Sequence, residues 1–202
     1  MTRDDDWIVV ATDGSCRARG GEGPMGWSWV CDDGTWASNG FHTGTNQRAE
    51  LWGLLSALIN FPEGPLRLEM DSQYAIGVGS AWAANWHAKG WRLKGEQRPS
   101  NLDLVVPIYE LVSERSDPLE LVWVQGHAAH RLNVEADRRA TDASARAREV
   151  ASEEDSLGLY LDHRGRTSNR YQHAMMADVI SGNTFPELKE AMQDNDLFAG
   201  IF

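Results

Sequence analysis

Asp13 and Asp71 each follow a short apolar run rich in β-forming residues, residues 7–12 before the first and 66–70 before the second. Carboxylates at the ends of separate strands fit the rule that α/β proteins hold ligands at the carboxyl edge of neighbouring parallel strands, with the acid oxygens as donors. Each aspartate also has a plainer reading: Asp13 opens the turn composition Asp13-Gly14-Ser15, and Asp71 precedes Ser72 at a helix start, a common capping arrangement. Two further acids shift the balance. Glu50 stands early in a stretch of helical periodicity, and Asp137 stands in a late one. An acid alone is a turn or a cap; four acids on four separate elements are candidates for one site.

The elements that must position these acids can be read from residue patterns. Residues 7–12 form a strand that stops at Asp13, and the Gly- and Arg-rich stretch 16–23 is a loop. Residues 26–30 and 35–41 read as strands joined by Asp32-Asp33-Gly34, a hairpin-turn composition. From Asn46 the period changes, and Ala49, Trp52, Leu55, Ala57, Leu58 and Ile59 predict a helix containing Glu50 that ends before Pro62 and Gly64. A strand over 66–70 delivers Asp71, and Ser72 opens a helical segment around 74–78. Residues 102–112 predict a helix that Pro107 kinks or cuts short. A strand over 119–124 and a polar loop over 126–132 follow, and Asn133 begins a helix running through Ala136, Ala140 and Ala143. Three strands, then alternating helices and strands, imply an α/β layer arrangement around a mixed sheet.

With 202 residues the chain can build one domain of ordinary size and still leave about fifty residues over. A hydrophobic fraction of 42% and nine Trp exclude wholesale disorder, and no apolar run approaches the ~20 residues of a bilayer-spanning helix. The start, MTRDDDWIVV, lacks the basic region and longer apolar core of an export signal. Cys16 and Cys31 form no disulfide or zinc spacing, which points to reduced thiols in the cytoplasm. The net charge of −11 argues against a nucleic-acid partner on average, yet residues 82–100 carry Lys89, Arg92, Lys94 and Arg98 against Glu96 alone, interleaved with Trp82, Trp86 and Trp91. A local patch of this kind can dock a phosphate backbone while the remaining surface stays acidic.

The segments TDGSC, TNQRAEL, MDSQY, WVQGHAAHRLN and EADRRA stand in this order and at the approximate spacing of type 1 ribonucleases H, and the chain resembles that family, in its bacterial, handle-containing branch, over residues 7–148. The resemblance implies a ribonuclease H-like fold, a five-stranded mixed sheet flanked by helices. It implies an endonuclease that hydrolyses the RNA strand of RNA–DNA hybrids by a two-metal-ion mechanism, leaving 5′-phosphate and 3′-hydroxyl ends. The family's four metal-binding carboxylates fall on Asp13, Glu50, Asp71 and Asp137, and its mobile-loop histidine falls on His127. Magnesium is a hard cation that takes oxygen ligands, and two such ions can clamp the attacking and leaving oxygens of a phosphodiester; Mn²⁺ is a candidate substitute. Near neutral pH an imidazole at position 127 can shuttle protons or help product and metal leave.

Other matched positions carry two readings each. Thr45 and Asn46 precede the Glu50 helix, where they either cap it or grip a DNA phosphate. Ser72 and Gln73 follow Asp71 and match residues that contact the minor groove, where 2′-hydroxyls mark RNA. Asn133, four residues before Asp137, is expected both to cap its helix and to reach substrate. The basic Trp-rich stretch corresponds to the family's handle, whose cations and aromatics straddle the DNA strand. Within it Trp82 and Trp86 suit core packing, and Trp91, Arg92 and Lys94 suit substrate contact.

Two departures bear on recognition. After the first aspartate the relatives continue with a short Asn-Pro-Gly type of loop that reads 2′-hydroxyls, whereas this chain has Arg17-Ala18-Arg19-Gly20-Gly21-Glu22, so arginines offer a charge-based contact instead. The handle is also less lysine-rich, and both changes predict weaker, more salt-sensitive hybrid binding. Residues 1–150 are expected to form the catalytic domain and 151–202 an acidic C-terminal extension, with nine Asp and Glu against four Lys and Arg. In that extension residues 171–180 and 185–192 suit short packed helices, and Gln193-Asp194-Asn195-Asp196-Leu197-Phe198 loosely resembles peptides that dock on bacterial sliding clamps. A monomer acting on a hybrid, with no membrane contact, is the expectation. The rivals are a catalytically silent hybrid or duplex-RNA binding module and a DNA-directed nuclease on the same fold.

Overall fold

Three antiparallel runs followed by helix-linked parallel strands build a mixed sheet, and the computed structural model of the chain contains one; it describes residues 7–18, 21–95, 97–126, 130–151, 156, 159–166 and 174. Strands β1 (Ile8–Cys16), β2 (Gly23–Cys31) and β3 (Trp36–Gly44) form the antiparallel meander. β4 (Leu66–Met70) lies parallel to β1, and β5 (Leu119–Trp123) parallel to β4. The sheet has six strands where five were expected, in the order β5-β4-β1-β2-β3-β6. The extra strand, β6 (Leu161–Asp162), comes from the extension and pairs antiparallel with β3 through Ala37↔Asp162 and Ser38↔Leu161. It covers backbone that an edge strand would otherwise present unpaired.

Helix α1 (Asn46–Asn60) lies on one face of the sheet and α5 (Arg131–Ala147) on the other. Residues 49–59 of α1 are all buried, because the helix is sandwiched between the sheet and α4 (Leu102–Glu114). On α5 the buried stripe is small: Ala136, Ala140, Ala143 and Ala147, spaced for one helical face. α4 continues through Pro107, contrary to the early stop that was one expectation; Leu104, Val105, Pro107 and Ile108 are all buried, and that packing holds the helix together past the missing amide donor. Between β4 and α4 lie α2 (Gln73–Gly77), a π-helical stretch (Val78–Trp82) and α3 (Ala83–His87), the last opening the basic Trp-rich stretch read as the handle.

Candidate metal centre

Register brings the first two acids together. Ala11 of β1 is paired with Glu69 of β4, so Asp13 and Asp71, two residues further on in parallel strands, emerge side by side at the carboxyl edge. Glu50 reaches them because α1 crosses β1 in direct backbone contact. A Cβ on Gly14 would lie 2.3 Å from the Glu50 amide nitrogen, so only glycine lets the helix approach this closely. Asp137 is brought in by α5, which is pinned beside it: Ser28, the β2 partner of Asp13, donates its hydroxyl to the Ala136 carbonyl at 2.7 Å.

Carboxylate oxygens of Asp13, Glu50 and Asp71 lie within 4.8 Å of one another, and Asp137 stands outside that tight group. Asp13 and Glu50 are each only 6% exposed, while Asp71 and Asp137 are half-buried. Burial, followed by the charges of Asp71 and Asp137, pushes the Asp13 carboxyl up to about 8, against a partial opposing pull from the Gly14 amide. Burial, followed by the charges of Asp13 and Asp71, also holds Glu50 well above the usual carboxylate range. One Glu50 oxygen accepts from Asn46 Nδ2 at 3.4 Å, and the other, Oε2, is buried without a hydrogen-bond partner. Crowded, buried oxygen donors with an unsatisfied acceptor fit a hard divalent cation, which would relieve both the desolvation and the repulsion.

Two residues take part that sequence reasoning did not assign to the site, and a third takes an unexpected part. A Cβ on Gly126 would fall 2.2 Å from Asp71 Oδ2, so the chain passes directly against this carboxylate on its way to residue 127. Trp123 donates its indole N–H to the Asp71 carbonyl at 3.2 Å while remaining 53% exposed. Asn46, expected only as a cap or phosphate contact, hydrogen-bonds Glu50. The one advance signal was the position of Gly126 and Trp123 in the block around His127. His127 itself lies outside the described residues.

The other predicted positions are spread around this centre. Thr45 caps α1, accepting from Arg48 N at 3.2 Å, and Ser72 caps α2, accepting from Ala75 N at 3.2 Å; Gln73 is exposed beside it. Asn133 does not cap α5: the helix starts at Arg131 with His130 as its N-cap, and Asn133 is buried in the first turn with Nδ2 unpartnered. The earlier start follows from an anchor, since His130 Nε2 lies 3.3 Å from Glu69 Oε2 on β4. In the handle, Arg92 and Lys94 are exposed. Trp91 is half-buried, edge-on to Tyr109 with ring centroids 5.6 Å apart, whereas Trp82, assigned to packing, is 43% exposed. Trp86 is half-buried. Residues 171–173, 175–180, 185–192 and the segment ending Leu197-Phe198 lie outside the described residues.

A mixed sheet with helices on both faces and a buried acid cluster at the β1/β4 edge defines a ribonuclease H-like protein. Solved structures agree on the fold. LC9-RNase H1, described as a type 1 RNase H with the type 2 active-site motif, superposes with a TM-score of 0.61 at 24% identity, covering 70% of this chain and 74% of that one. The N-terminal RNase H domain of rv2228c from Mycobacterium tuberculosis gives a TM-score of 0.53 at 24% identity, covering 71% and 97%. The RNase H family matches residues 5–145. Ribonuclease H of Tropheryma whipplei (strain Twist) is 34% identical over 139 residues, 68% of this chain and 84% of that protein. Ribonuclease HI of Streptomyces coelicolor is 37% identical over 144 residues, 67% of this chain and 61% of that protein. The chain belongs to the RNase H family, and it is an enzyme of the ribonuclease H class. Among the described residues no helix is long and apolar enough to cross a membrane.

Proposed function

We propose that this chain is an endonuclease that hydrolyses the RNA strand of RNA–DNA hybrids with two Mg²⁺ ions, Mn²⁺ being able to substitute, and leaves 5′-phosphate and 3′-hydroxyl ends. The observation that carries this reading is the buried trio Asp13, Glu50 and Asp71, with oxygens within 4.8 Å and an unpartnered Glu50 Oε2. Divalent ions held by these residues and Asp137 would lower the pKa of the attacking water and stabilise the departing 3′ oxygen. The chain's own part is to hold the acids in place: Gly14 and Gly126 permit the close approaches, Asn46 orients Glu50, and Ser28 anchors the helix bearing Asp137. His127 carries the proton-transfer or product-release step. Thr45 and Asn46 meet the DNA backbone at the start of α1, Ser72, Gln73 and Asn133 meet the minor groove, and Trp91, Arg92 and Lys94 meet the DNA strand at the handle. In support, one structural neighbour, a foamy viral protease–reverse transcriptase, was solved in complex with an RNA/DNA hybrid. We assign catalysis to residues 1–150, treat 151–202 as an accessory extension that braces β3, and place the enzyme in the cytoplasm as a monomer.

The test offers labelled RNA–DNA hybrid, duplex RNA and duplex DNA to the protein with Mg²⁺, beside Asp71→Asn. Cleavage confined to the RNA of the hybrid, lost with EDTA and in Asp71→Asn, is expected. Absence of metal-dependent hybrid cleavage by the unaltered chain would overturn the reading, and cleavage persisting in Asp71→Asn would overturn the site.

A further inference from the structure

From the acid cluster a line of polar contacts runs along the seam between β1 and α5. Asp13, Ser15 and Arg17 alternate onto one side of β1 and its continuation, and Asp137, Thr141 and Ser144 share one side of α5 at helical spacing. Thr141 Oγ1 lies 3.4 Å from Ser15 Oγ, and Ser15 Oγ lies 3.5 Å from Ser144 Oγ. Arg17 Nε donates to Ser144 Oγ at 3.1 Å. Ser144 is fully buried and donates its own hydroxyl to the Thr141 carbonyl at 2.8 Å, which turns its lone pairs toward the guanidinium. The Arg17 amide also bonds the Pro24 carbonyl at 2.9 Å, which keeps the chain extended past the end of β1.

We infer that Arg17 binds a backbone phosphate of the cleaved RNA strand, to one side of the scissile linkage; the inference rests on the hybrid-cleavage reading above. Arg17 is exposed, and among the described residues no carboxylate pairs with it. Ser144 takes only the Nε donor and fixes the side chain, leaving the Nη donors in the planar fork that suits two phosphate oxygens. Four residues of extended chain separate Arg17 from Asp13, about 13 Å, a distance that reaches a neighbouring phosphate and not the one being cut. A guanidinium cannot accept a hydrogen bond from a 2′-hydroxyl, so this contact senses backbone charge and position and not sugar identity. Choice of RNA over DNA then falls on the other side of the cluster, around Ser72, Gln73 and Asn133.

Steady-state cleavage of a hybrid by the full chain, its Arg17→Ala and its Arg17→Lys variants, across a salt series, tests this. Arg17→Ala should raise KM about five- to tenfold with kcat within about twofold, and should flatten the slope of log(kcat/KM) against log salt by about 0.7–0.9, one phosphate contact. Arg17→Lys should restore the slope. When a single uncharged methylphosphonate linkage is moved along the RNA strand, the unaltered enzyme should lose efficiency at one fixed distance from the cut, and Arg17→Ala should be indifferent at that position. An unchanged KM and slope, a sensitive linkage in the DNA strand only, or an equal loss of kcat and melting temperature in both variants would overturn the inference. Failure of the unaltered chain to cut any hybrid would instead remove the functional reading, and this inference with it.

Discussion

In the metal-free protein near neutral pH, burial and the charges of Asp71 and Asp137 push the Asp13 carboxyl from 3.8 up to about 8, so Asp13→Asn should raise the melting temperature. Above pH 3.8 the unfolded chain releases this proton, while the folded chain keeps it until about pH 8. The unfolded state therefore binds fewer protons across that window, and stability falls as pH rises through it, levelling off above pH 8. The full displacement corresponds to about 6 kcal/mol. Burial is its largest cause, and an asparagine amide bears part of that cost as well, which leaves about 2 kcal/mol for the charge-specific share. For a protein of this size that is a rise of about 4–8 °C. Calorimetric melts in EDTA from pH 4 to pH 9 should show little difference between the two proteins at pH 4 and the full gap above pH 8. Adding Mg²⁺ to about a hundred times its Kd should stabilise the unaltered chain by about 2.7 kcal/mol and barely move the variant. A variant less stable than the parent at pH 9 in EDTA, or a gap that does not change with pH, would refute the account of the cluster as a strained, cation-seeking site.

Gly126→Ala should displace the Asp71 carboxylate, because its Cβ would come within 2.2 Å of Oδ2. The expected result is an Mg²⁺ requirement raised about 10–100-fold with an unchanged melting temperature, read from metal titrations of hybrid cleavage. Asp162→Ala should release β6. Its carboxylate accepts from the Arg164 and Arg166 amides at 2.9 and 3.1 Å and from Arg166 Nε at 2.6 Å, and only 2% of the residue is exposed. A loss of about 2–3 kcal/mol in urea melts is expected with kcat on the hybrid preserved, because β6 lies at the edge of the sheet opposite β5 and away from the β1/β4 edge.

Most of the candidate centre was legible in the sequence because its logic is local. β4 stops at Met70 just before Asp71 as read, whereas β1 runs on to Cys16 because β2 keeps pairing with it past Asp13; parallel pairing of β1 with β4 in register still supplies the adjacency. The tight contacts that complete it are not local. Nothing in the residues around Gly14 says that α1 will touch it, or that Gly126 will lie against Asp71. β6 was hidden for the same reason, since two residues carry no alternation to detect and their pairing partner is more than a hundred positions away. Trp82, expected to pack in the core, lies 43% exposed because indole hydrophobicity does not specify direction. The π-helical stretch Val78–Trp82 adds residues per turn and sets Trp82 outward against Gly77, where a Cβ would lie 2.6 Å from the ring. At Asn133 the error was one of phase: a helix begun two residues earlier turns a would-be cap toward the interior.

The same distinction between local and global explains how a chain of net charge −11 can hold a polyanion. Local ion pairs leave that net charge unchanged but shorten the range of the paired charges. Arg138 pairs with Glu135 and Asp142, Arg139 with Glu135, Arg67 with Glu120 and Arg166 with Asp162. Beyond about 8 Å at physiological ionic strength the remainder is largely screened, so the net charge slows approach more than it weakens contact. The cations placed to meet the polyanion are Arg17, bonded to Ser144, and Arg92 and Lys94, exposed in the basic stretch. The acid cluster contributes to the same end, because cations bound there would attract the scissile phosphate to a group of carboxylates that would otherwise repel it. Affinity for the hybrid should therefore depend on Mg²⁺ as steeply as on monovalent salt, and a metal-free enzyme should hold its substrate weakly even with every positioning residue intact.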